Sequence, residues 1–315
     1  MVDLIYQLFP YAIAFTIPLL ITSLGGLFSE RSGVINIGLE GLMLMGMFIG
    51  AFTISRMEMA NPGIAVWYGL AAAMIIGALF ALLHAFACVT LNANQVISGI
   101  AINMIASAVT VYLARFLTGS GNVQIIRGMS RQTIPYLSEI PVIGRLFFTQ
   151  SYASTWLVLF ILAAATFLLY KTRFGLRLRA CGEHPHAADS AGVNVYLMRY
   201  AAVAISGACA GLGGAIFIVT LSGEFNGTAA GLGFLALAAL IFGQWKPWGI
   251  LGATFFFGFA STIANVSQVI PALSQIPGIY LKTFPYVITL IALVLSSKSS
   301  QAPKAIGEPY DKGKR

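Results

Sequence analysis

The sequence predicts an all-α, polytopic membrane protein with about eight to ten transmembrane helices, at least one of them broken. Of the 315 residues, 58% are hydrophobic and 9% are charged, and apolar runs long enough to cross a bilayer, about twenty residues, recur along the chain. Residues 65–89 are apolar on all sides, whereas the strands of a membrane barrel alternate apolar and polar positions. These observations exclude a β-barrel and make the lipid bilayer a partner of the chain.

Nine apolar segments are predicted to cross the bilayer, which makes residues 1–297 one transmembrane domain. They are residues 5–24, 34–54, 64–89, 95–117, 152–170, 200–222, 229–245, 248–270 and 280–297. No basic residues precede the first segment and no clean small-residue cleavage site follows it. We therefore expect a retained helix rather than a secretory signal.

The net charge of +8 is concentrated in a loop, residues 171–199, and in a basic tail, residues 298–315. Positive loops stay in the cytoplasm, and four crossings separate the two segments, so both are predicted to be cytoplasmic. The basic excess therefore sets topology and does not indicate nucleic-acid binding. The same count places the N-terminus and a long loop, residues 118–150, outside. The three cysteines have no metal-ligand spacing and are expected to be free thiols.

An acid, Glu40, lies in the stretch FSERSGVINIGLEG (28–41), inside a predicted crossing. A lone carboxylate in hydrocarbon costs at least about 2.5 kcal/mol, so its position predicts a cavity or a helix break. Glycines surround Asn36, and we expect Asn36 to cap a helix that restarts there, with Glu40 near its positive end. The break is either a structural cap or part of a water-filled solute path.

A second polar cluster, LNANQVISGIAINM (91–104), enters the next crossing but one, with Ser98 and Asn103 deepest in it. Such side chains either join helices by hydrogen bonds or contact a polar, uncharged solute, since an amide offers both a donor and an acceptor. Two pairs of small residues at a spacing of four predict close helix packing: Gly46 with Gly50, and Gly207 with Gly211.

The external loop carries Arg127, Arg131 and Arg145 against one acid, Glu139. Positive charge outside runs against the usual loop bias. Either this is a solvated loop with a chance bias, or the arginines pair with carboxylates of a partner outside the membrane, as guanidinium groups do in fork geometry.

The inner loop is too long for a tight turn, and its arginines also suit a basic anchor at the lipid headgroups. Within it, His186-Ala187-Ala188, followed by three residues and Gly192, resembles the Glu-Ala-Ala-x-x-x-Gly signature of ABC importer permeases. Histidine replaces the glutamate, and the apolar-x-Leu-Pro end of the signature is missing. In that family the motif forms a short cytoplasmic coupling helix.

Four stretches resemble, in order, a permease subunit of bacterial nucleoside-type ABC importers. They are GGLFSERSGVINIGLEGLMLMG, NANQVISGIAINMIA, FGLRLRACGEHPHAADSAGV and GFLALAALIFGQWKPWGILGATFFFG. Such permeases are related to those for ribose and branched-chain amino acids, and SERSGVINIGLEG is similar to the nucleoside branch, whereas ribose-type permeases tend to carry an Asp-containing version. The resemblance implies import of nucleosides across the bacterial cytoplasmic membrane by ATP-driven alternating access.

The resemblance also implies partners. The chain has no G-x-x-x-x-G-K-[ST] phosphate loop, so it is expected to bind no cofactor, while a partner subunit uses ATP. The implied partners are a second related permease in a heterodimer, a cytoplasmic ABC ATPase and an extracytoplasmic solute-binding lipoprotein, which the outer arginines would face. The residues implied on the ATPase side are Arg173, Phe174, Gly175, Arg177, Ala188 and Gly192.

The candidates for lining the solute path are Asn36, Glu40, Ser98, Asn103 and Phe234. Of these, Phe234 is an aromatic ring that would stack on a base. Residues 33–46 and 227–240 also resemble each other as glycine-broken openings of apolar helices, which suggests that both face the same path.

Other functions stay open at this stage. A permease for a simple sugar such as ribose, or for branched-chain amino acids, would fit the same family. An ion-coupled secondary transporter would also use broken helices, but more often carries several embedded acids, where only Glu40 qualifies. An enzyme is not expected, because neither H-E-x-x-H nor G-x-S-x-G is present and His84 stands alone in an apolar run. No catalytic residue and no metal site are predicted.

Overall fold

The computed structural model describes residues 2–266, 278, 280, 281, 283, 284, 287 and 301–313. Among these residues the backbone is mostly α-helical, as the sequence predicted. The α-helices are α1 (Val2–Arg31), α2 (Leu39–Met57), α3 (Pro62–Ala85), α4 (Gln95–Thr118), α5 (Ala153–Lys171), α6 (Arg173–Glu183), α7 (Pro185–Ser190), α8 (Val195–Phe217), α9 (Leu232–Phe242) and α10 (Pro247–Val266).

Within the described residues, four strands of two residues each form two small antiparallel ladders. Strand β1 (Val123–Gln124) pairs with β4 (Glu224–Phe225), and β2 (Arg131–Gln132) pairs with β3 (Ser151–Tyr152). Short helical turns cover Leu137–Glu139 and Gly144–Phe148, and π-helical turns extend α3 over Phe86–Thr90 and α8 over Ile218–Ser222. The predicted external loop is therefore a folded cap at one end of the bundle.

Seven helices in the described residues are long and apolar enough to cross a membrane: α1 to α5, α8 and α10. The predicted crossing at 229–245 is wrong as a single spanning helix, because α9 has only 11 residues, about 16 Å of the roughly 30 Å that a bilayer requires. The first helix also runs past residue 24 to Arg31, and the second begins at Leu39 rather than at 34. The predicted segment 280–297 lies mostly outside the described residues.

The most buried helices are α1, α2 and α8, and they form the centre of the bundle. Glycines let their backbones meet: a Cβ added to Gly46 would overlap the carbonyl oxygen of Gly211, and one added to Gly207 would overlap that of Gly77. The predicted close packing is therefore confirmed, and it joins α8 to both α2 and α3. Because Gly46 meets Gly211 and Gly50 meets Ala215, α2 and α8 run in the same direction.

The C-terminal tail, residues 301–313, lies at the end of the bundle that carries α6 and α7. The backbone N–H of Ala305 donates to Gly182 O at 2.9 Å, and that of Gly307 donates to Gly33 O at 3.0 Å. Lys298, Lys314 and Arg315 of the predicted basic tail lie outside the described residues.

Candidate functional site

The chain between α1 and α2, residues 32–38, is not helical, which confirms the predicted break. At its start Gly33 has a φ of +95°, a left-handed conformation that only glycine adopts without strain. A Cβ at Gly33 would lie 2.9 Å from Nη2 of the buried Arg199. The hydroxyl of Ser29 donates to Val34 O at 2.7 Å, which closes the end of α1. The chain can therefore turn back into the bundle only with a glycine here.

Side chains of α3 and α4 bind the backbone groups that the break leaves without helical partners. Gln95 Oε1 accepts from the N–H of Ile35 at 2.7 Å, and His84 Nε2 lies 2.9 Å from Ile35 O. Because a carbonyl oxygen only accepts, neutral His84 carries its proton on Nε2. Its Nδ1 then accepts from the Ser98 hydroxyl at 2.9 Å. His84 is thus a brace for the break, a role that the sequence did not reveal.

The amide of Asn103 joins the break to the first turn of α2. Its Nδ2 donates to Ile37 O at 3.0 Å, and its Oδ1 accepts from the N–H of Gly41 at 2.7 Å. Both ends of the amide are engaged, so Asn103 and Ser98 form the hydrogen bonds between helices that the sequence allowed as one alternative. Asn103 stays partly exposed, and its contact with solute remains a prediction.

Asn36 is fully buried in the middle of the break. The expectation that it caps α2 is wrong, because the N-cap residue is Gly38. Instead Asn36 Nδ2 donates to the Ser206 hydroxyl of α8 at 2.9 Å, while its Oδ1 has no hydrogen-bond partner among the described residues. In this conformation a solute would not reach Asn36.

Glu40 joins the N-termini of two helices. It lies in the first turn of α2, and its carboxylate accepts from two N–H groups at the start of α9: Gly231 at 2.9 Å and Gly233 at 2.6 Å. Helix N-termini carry partial positive charge, which the carboxylate neutralises. Gly233 permits this approach, because a Cβ there would overlap the backbone of Glu40. The acid is therefore satisfied inside the bundle by a partner some 190 residues away in sequence.

The two glycine-broken openings, 33–46 and 227–240, thus meet at Glu40, and that both face one solute path remains a prediction. Beside this junction the ring of Phe234 is 49% exposed. The segment before α9 lies against α4, where a Cβ on Gly227 would be 3.0 Å from Val111 Cγ2. Three further polar side chains are exposed on α4 and on this segment: Ser107, Asn226 and Thr228. The sequence alone did not single out these residues, although Ser107 shares a helix face with Asn103 four residues earlier.

The predicted coupling loop contains α6 and α7. Thr172 caps α6 by accepting from the N–H of Gly175 at 3.2 Å, and its hydroxyl donates to Leu168 O at 2.6 Å. Gly175 is buried where a Cβ would overlap the carbonyl of Leu168, so the turn from α5 to α6 is tight. The other predicted coupling residues here divide between surface and core: Arg173 and Arg177 are exposed, and Phe174 packs against the core.

A short helix at the resembling motif is present as α7. Ala188 is buried at 5% exposure, whereas His186 and Ala187 face outward. The helix ends at Ser190, and two residues later Gly192 has a φ of +81° and donates its N–H to Asp189 O at 2.9 Å. Docking of an ATPase on this surface remains a prediction.

The outer arginines lie in different environments. The guanidinium of Arg131 stacks 4.2 Å from the ring centroid of Tyr11, and its Nε donates to the Tyr152 hydroxyl at 3.0 Å. Arg131 therefore ties the cap formed by residues 118–150 to α1. Arg127 and Arg145 are exposed, and their contact with a binding protein remains a prediction.

A buried acid, Glu30, lies at the end of α1 and is 4% exposed. Its Oε2 accepts from the indole Nε1 of Trp245 at 2.5 Å, and neighbouring Arg31 donates to Trp245 O at 2.8 Å. The sequence alone did not indicate this pair, because Trp245 is far from Glu30 along the chain. No group of three or more His, Cys, Asp or Glu side chains suited to a metal ion occurs in the described part of the chain.

Residues 9–293 match the family described as branched-chain amino acid transport system / permease component. The chain is 43% identical to the guanosine ABC transporter permease protein NupQ of Bacillus subtilis (strain 168), over 100% of this chain and 99% of the relative. It is 42% identical to the nucleoside ABC transporter permease protein NupC of Lactococcus lactis subsp. cremoris (strain MG1363), over 95% of each chain.

Two other relatives bear on the solute and on assembly. A putative glucose ABC transporter permease of Haloferax volcanii is 32% identical, over 93% of this chain and 94% of its own. The guanosine ABC transporter permease protein NupP, from the same Bacillus strain as NupQ, is 28% identical over 76% of this chain and 69% of its own. The family match and the near full-length identities show that this multi-pass membrane protein is a transport subunit that belongs to the branched-chain amino acid transport system permease family of ABC transporters.

Proposed function

We propose that this chain carries nucleosides into a bacterial cell as one permease of an ABC importer. The observation that carries the proposal is the full-length identity of 43% and 42% to permeases named for guanosine and for nucleosides. The permease named for glucose is more distant, at 32%. The direction of transport, into the cell, follows from the resemblance to importers.

The junction at Glu40 supports an uncharged, ring-containing solute. The carboxylate is satisfied by two backbone N–H groups, so the groups that this face offers a solute are an aromatic ring, hydroxyls and amides. Phe234 would stack on a base, while Asn103, Ser107 and Thr228 would exchange hydrogen bonds with its edges or with the ribose. A path of this kind binds weakly, which favours release.

The proposed assembly contains a second permease, a cytoplasmic ABC ATPase that uses the ATP, and an extracytoplasmic solute-binding lipoprotein, in the bacterial cytoplasmic membrane. Two relatives of this chain from one Bacillus strain are both named guanosine permeases, which supports a heterodimer. The α6 and α7 end faces the cytoplasm, and the external cap with Arg127 and Arg145 faces the lipoprotein. Closure of the ATPase moves α6 and α7, and the permeases tilt to open their path outward.

Uptake of labelled uridine, adenosine, ribose and leucine tests the solute in cells with and without this chain, with an ATPase-site mutant of the partner as control. We expect nucleoside uptake in cells that carry this chain, and loss of that uptake both in cells without the chain and in cells with the ATPase-site mutant. Ribose uptake would instead favour a sugar permease, to which the identity with the glucose permease points. Uptake that survives the ATPase mutation would contradict the whole assembly and favour an ion-coupled transporter.

Phe234→Ala tests the path. Stacking of a base on an aromatic ring contributes about 1–3 kcal/mol, so we expect uptake per transporter to fall by about fivefold to 150-fold. Phe160→Ala is the matched control, because this phenylalanine on α5 is also largely exposed, at 71%, but lies away from the Glu40 junction. Equal effects of the two substitutions would remove Phe234 from the path.

A further inference from the structure

The tail, residues 301–313, is anchored to α6, α7 and α8. Tyr310 is 3% exposed, and its ring lies between those of His186, at 5.1 Å, and Tyr196, at 5.3 Å between centroids. The buried guanidinium of Arg199 donates to Glu308 O at 3.0 Å. An aromatic ring held on two sides and several backbone hydrogen bonds place the tail at a defined position.

A cleft of about 520 Å³ separates the tail from α7. One wall consists of the chain from His184 to Ala187 and the other of Lys304, Ala305, Glu308 and Pro309, with Glu183 also lining it. Both walls carry exposed side chains, among them His186 and Pro309. The exposed surface of α7 therefore continues across the cleft onto the tail.

Helix α7 alone is too small to hold a partner subunit. Its six residues extend about 9 Å, whereas a stable protein interface buries about 800 Å² on each partner. The additional surface has to come from exposed elements next to α7, and the tail lies directly beside it. Because α7 resembles a coupling helix, a subunit seated on its exposed face would also cover this cleft.

We propose that the docked tail forms part of the ATPase-docking surface, with an element of the ATPase seated in the cleft between α7 and Pro309. This inference rests on the ATPase partner of the proposed function. The tail also forms a backbone hydrogen bond with Gly33 at the start of the helix break. A movement of the ATPase in the cleft would therefore be transmitted to the break through the tail.

Cysteine labelling tests the proposal directly. His186→Cys, Pro309→Cys and Tyr136→Cys are each treated with a water-soluble maleimide, in the permease pair alone and in the complete complex with its ATPase. The background is low, because Cys88 and Cys181 are buried and Cys209 is partly buried. Tyr136 is 85% exposed at the opposite end of the bundle and serves as a reference position that the ATPase does not cover.

We expect the ATPase to protect the cysteines at 186 and 309 and to leave the one at 136 fully labelled. Protection at 186 together with full labelling at 309 would overturn the role of the tail and leave the proposed function intact. Labelling at both 186 and 309 in the complex would show that the ATPase does not dock on α7 and would overturn this inference, whereas failure to isolate any complex with an ATPase would contradict the proposed function. Tyr310→Ala should further cause loss of ATPase during purification, whereas Tyr136→Ala, at the opposite end of the bundle, should not.

Discussion

Replacement of Glu40 separates a structural role from a solute-binding role. In Glu40→Gln one of the two acceptors becomes an NH₂ group that faces a backbone N–H. The substitution loses one charge-assisted hydrogen bond, about 2 kcal/mol, and the attraction to two helix N-termini, about 1 kcal/mol each. The substitution also removes the unfavourable free energy of a carboxylate in a low-dielectric site, which is about 2.5 kcal/mol. The net loss of stability is therefore about 1.5 kcal/mol by these magnitudes.

Glu40→Ala removes both acceptors and leaves the N–H groups of Gly231 and Gly233 without partners. It loses a second hydrogen bond of about 2 kcal/mol, so its net cost is about 3.5 kcal/mol. The expected order of stability, from highest to lowest, is therefore wild type, Glu40→Gln and Glu40→Ala. It is measured as the free energy of unfolding of the purified protein in mixed micelles titrated with a denaturing detergent.

Uptake per folded molecule is the second measurement for these variants. If Glu40 acts only at the helix junction, Glu40→Gln keeps nucleoside uptake once the amount of folded protein is matched. Equal stability of all three proteins would refute the reasoning about the two helix N-termini. Unchanged stability with lost uptake would show that the carboxylate meets the solute, as the sequence allowed.

The remaining predictions concern packing, the break and the inner loop. Gly46→Ala pushes α2 away from the backbone of α8 and should prevent a stable fold, whereas Gly252→Ala, where nothing lies within 4 Å, should stabilise α10 by about 0.5–1 kcal/mol in the same unfolding assay. His84→Ala leaves the partly buried Ile35 carbonyl without this donor and opens a cavity, so it should lower the free energy of unfolding by about 3 kcal/mol, while Ser98→Ala should lower it by about 1 kcal/mol. Equal losses would contradict the role of His84 as a brace for the break. Burial raises the pKa of the Cys181 thiol from 9.0 to about 11, so the unfolded chain loses this proton first and stability should fall as pH rises from about 9 to 11; Cys181→Ala should lose less stability over that range, and identical pH profiles would contradict the assignment.

Much of the fold follows from local sequence. Apolar length located the helices that are long enough to span, and the glycines around Asn36 located the break, because both signals depend on neighbouring residues. The same signals misjudged residues 229–245, since an apolar stretch does not reveal that its first residues, up to Gly231, are not helical. They also misassigned the cap of α2, because Asn36 has a partner on α8 that is 170 residues away.

The candidate site was predicted only in part. Glu40 and Asn103 were recognised as unusual, since a polar group in hydrocarbon needs a partner or water. The sequence does not show whether each group has a protein partner or water, because Gly231, Gly233 and the backbone of the break come close only after the helices pack. Ser107, Asn226 and Thr228 were overlooked, because each alone is an ordinary residue of a helix or loop.

The sequence by itself determined the membrane class, the family and the position of the helix break, because composition, apolar length and motifs are properties of the chain alone. Only the tertiary structure decided that Glu40 neutralises two helix N-termini, that His84 and Asn103 satisfy the broken backbone, and that the tail packs against α7. Each of these is a contact between segments distant in sequence. A buried polar group must find a partner, but which partner it finds depends on how the helices pack.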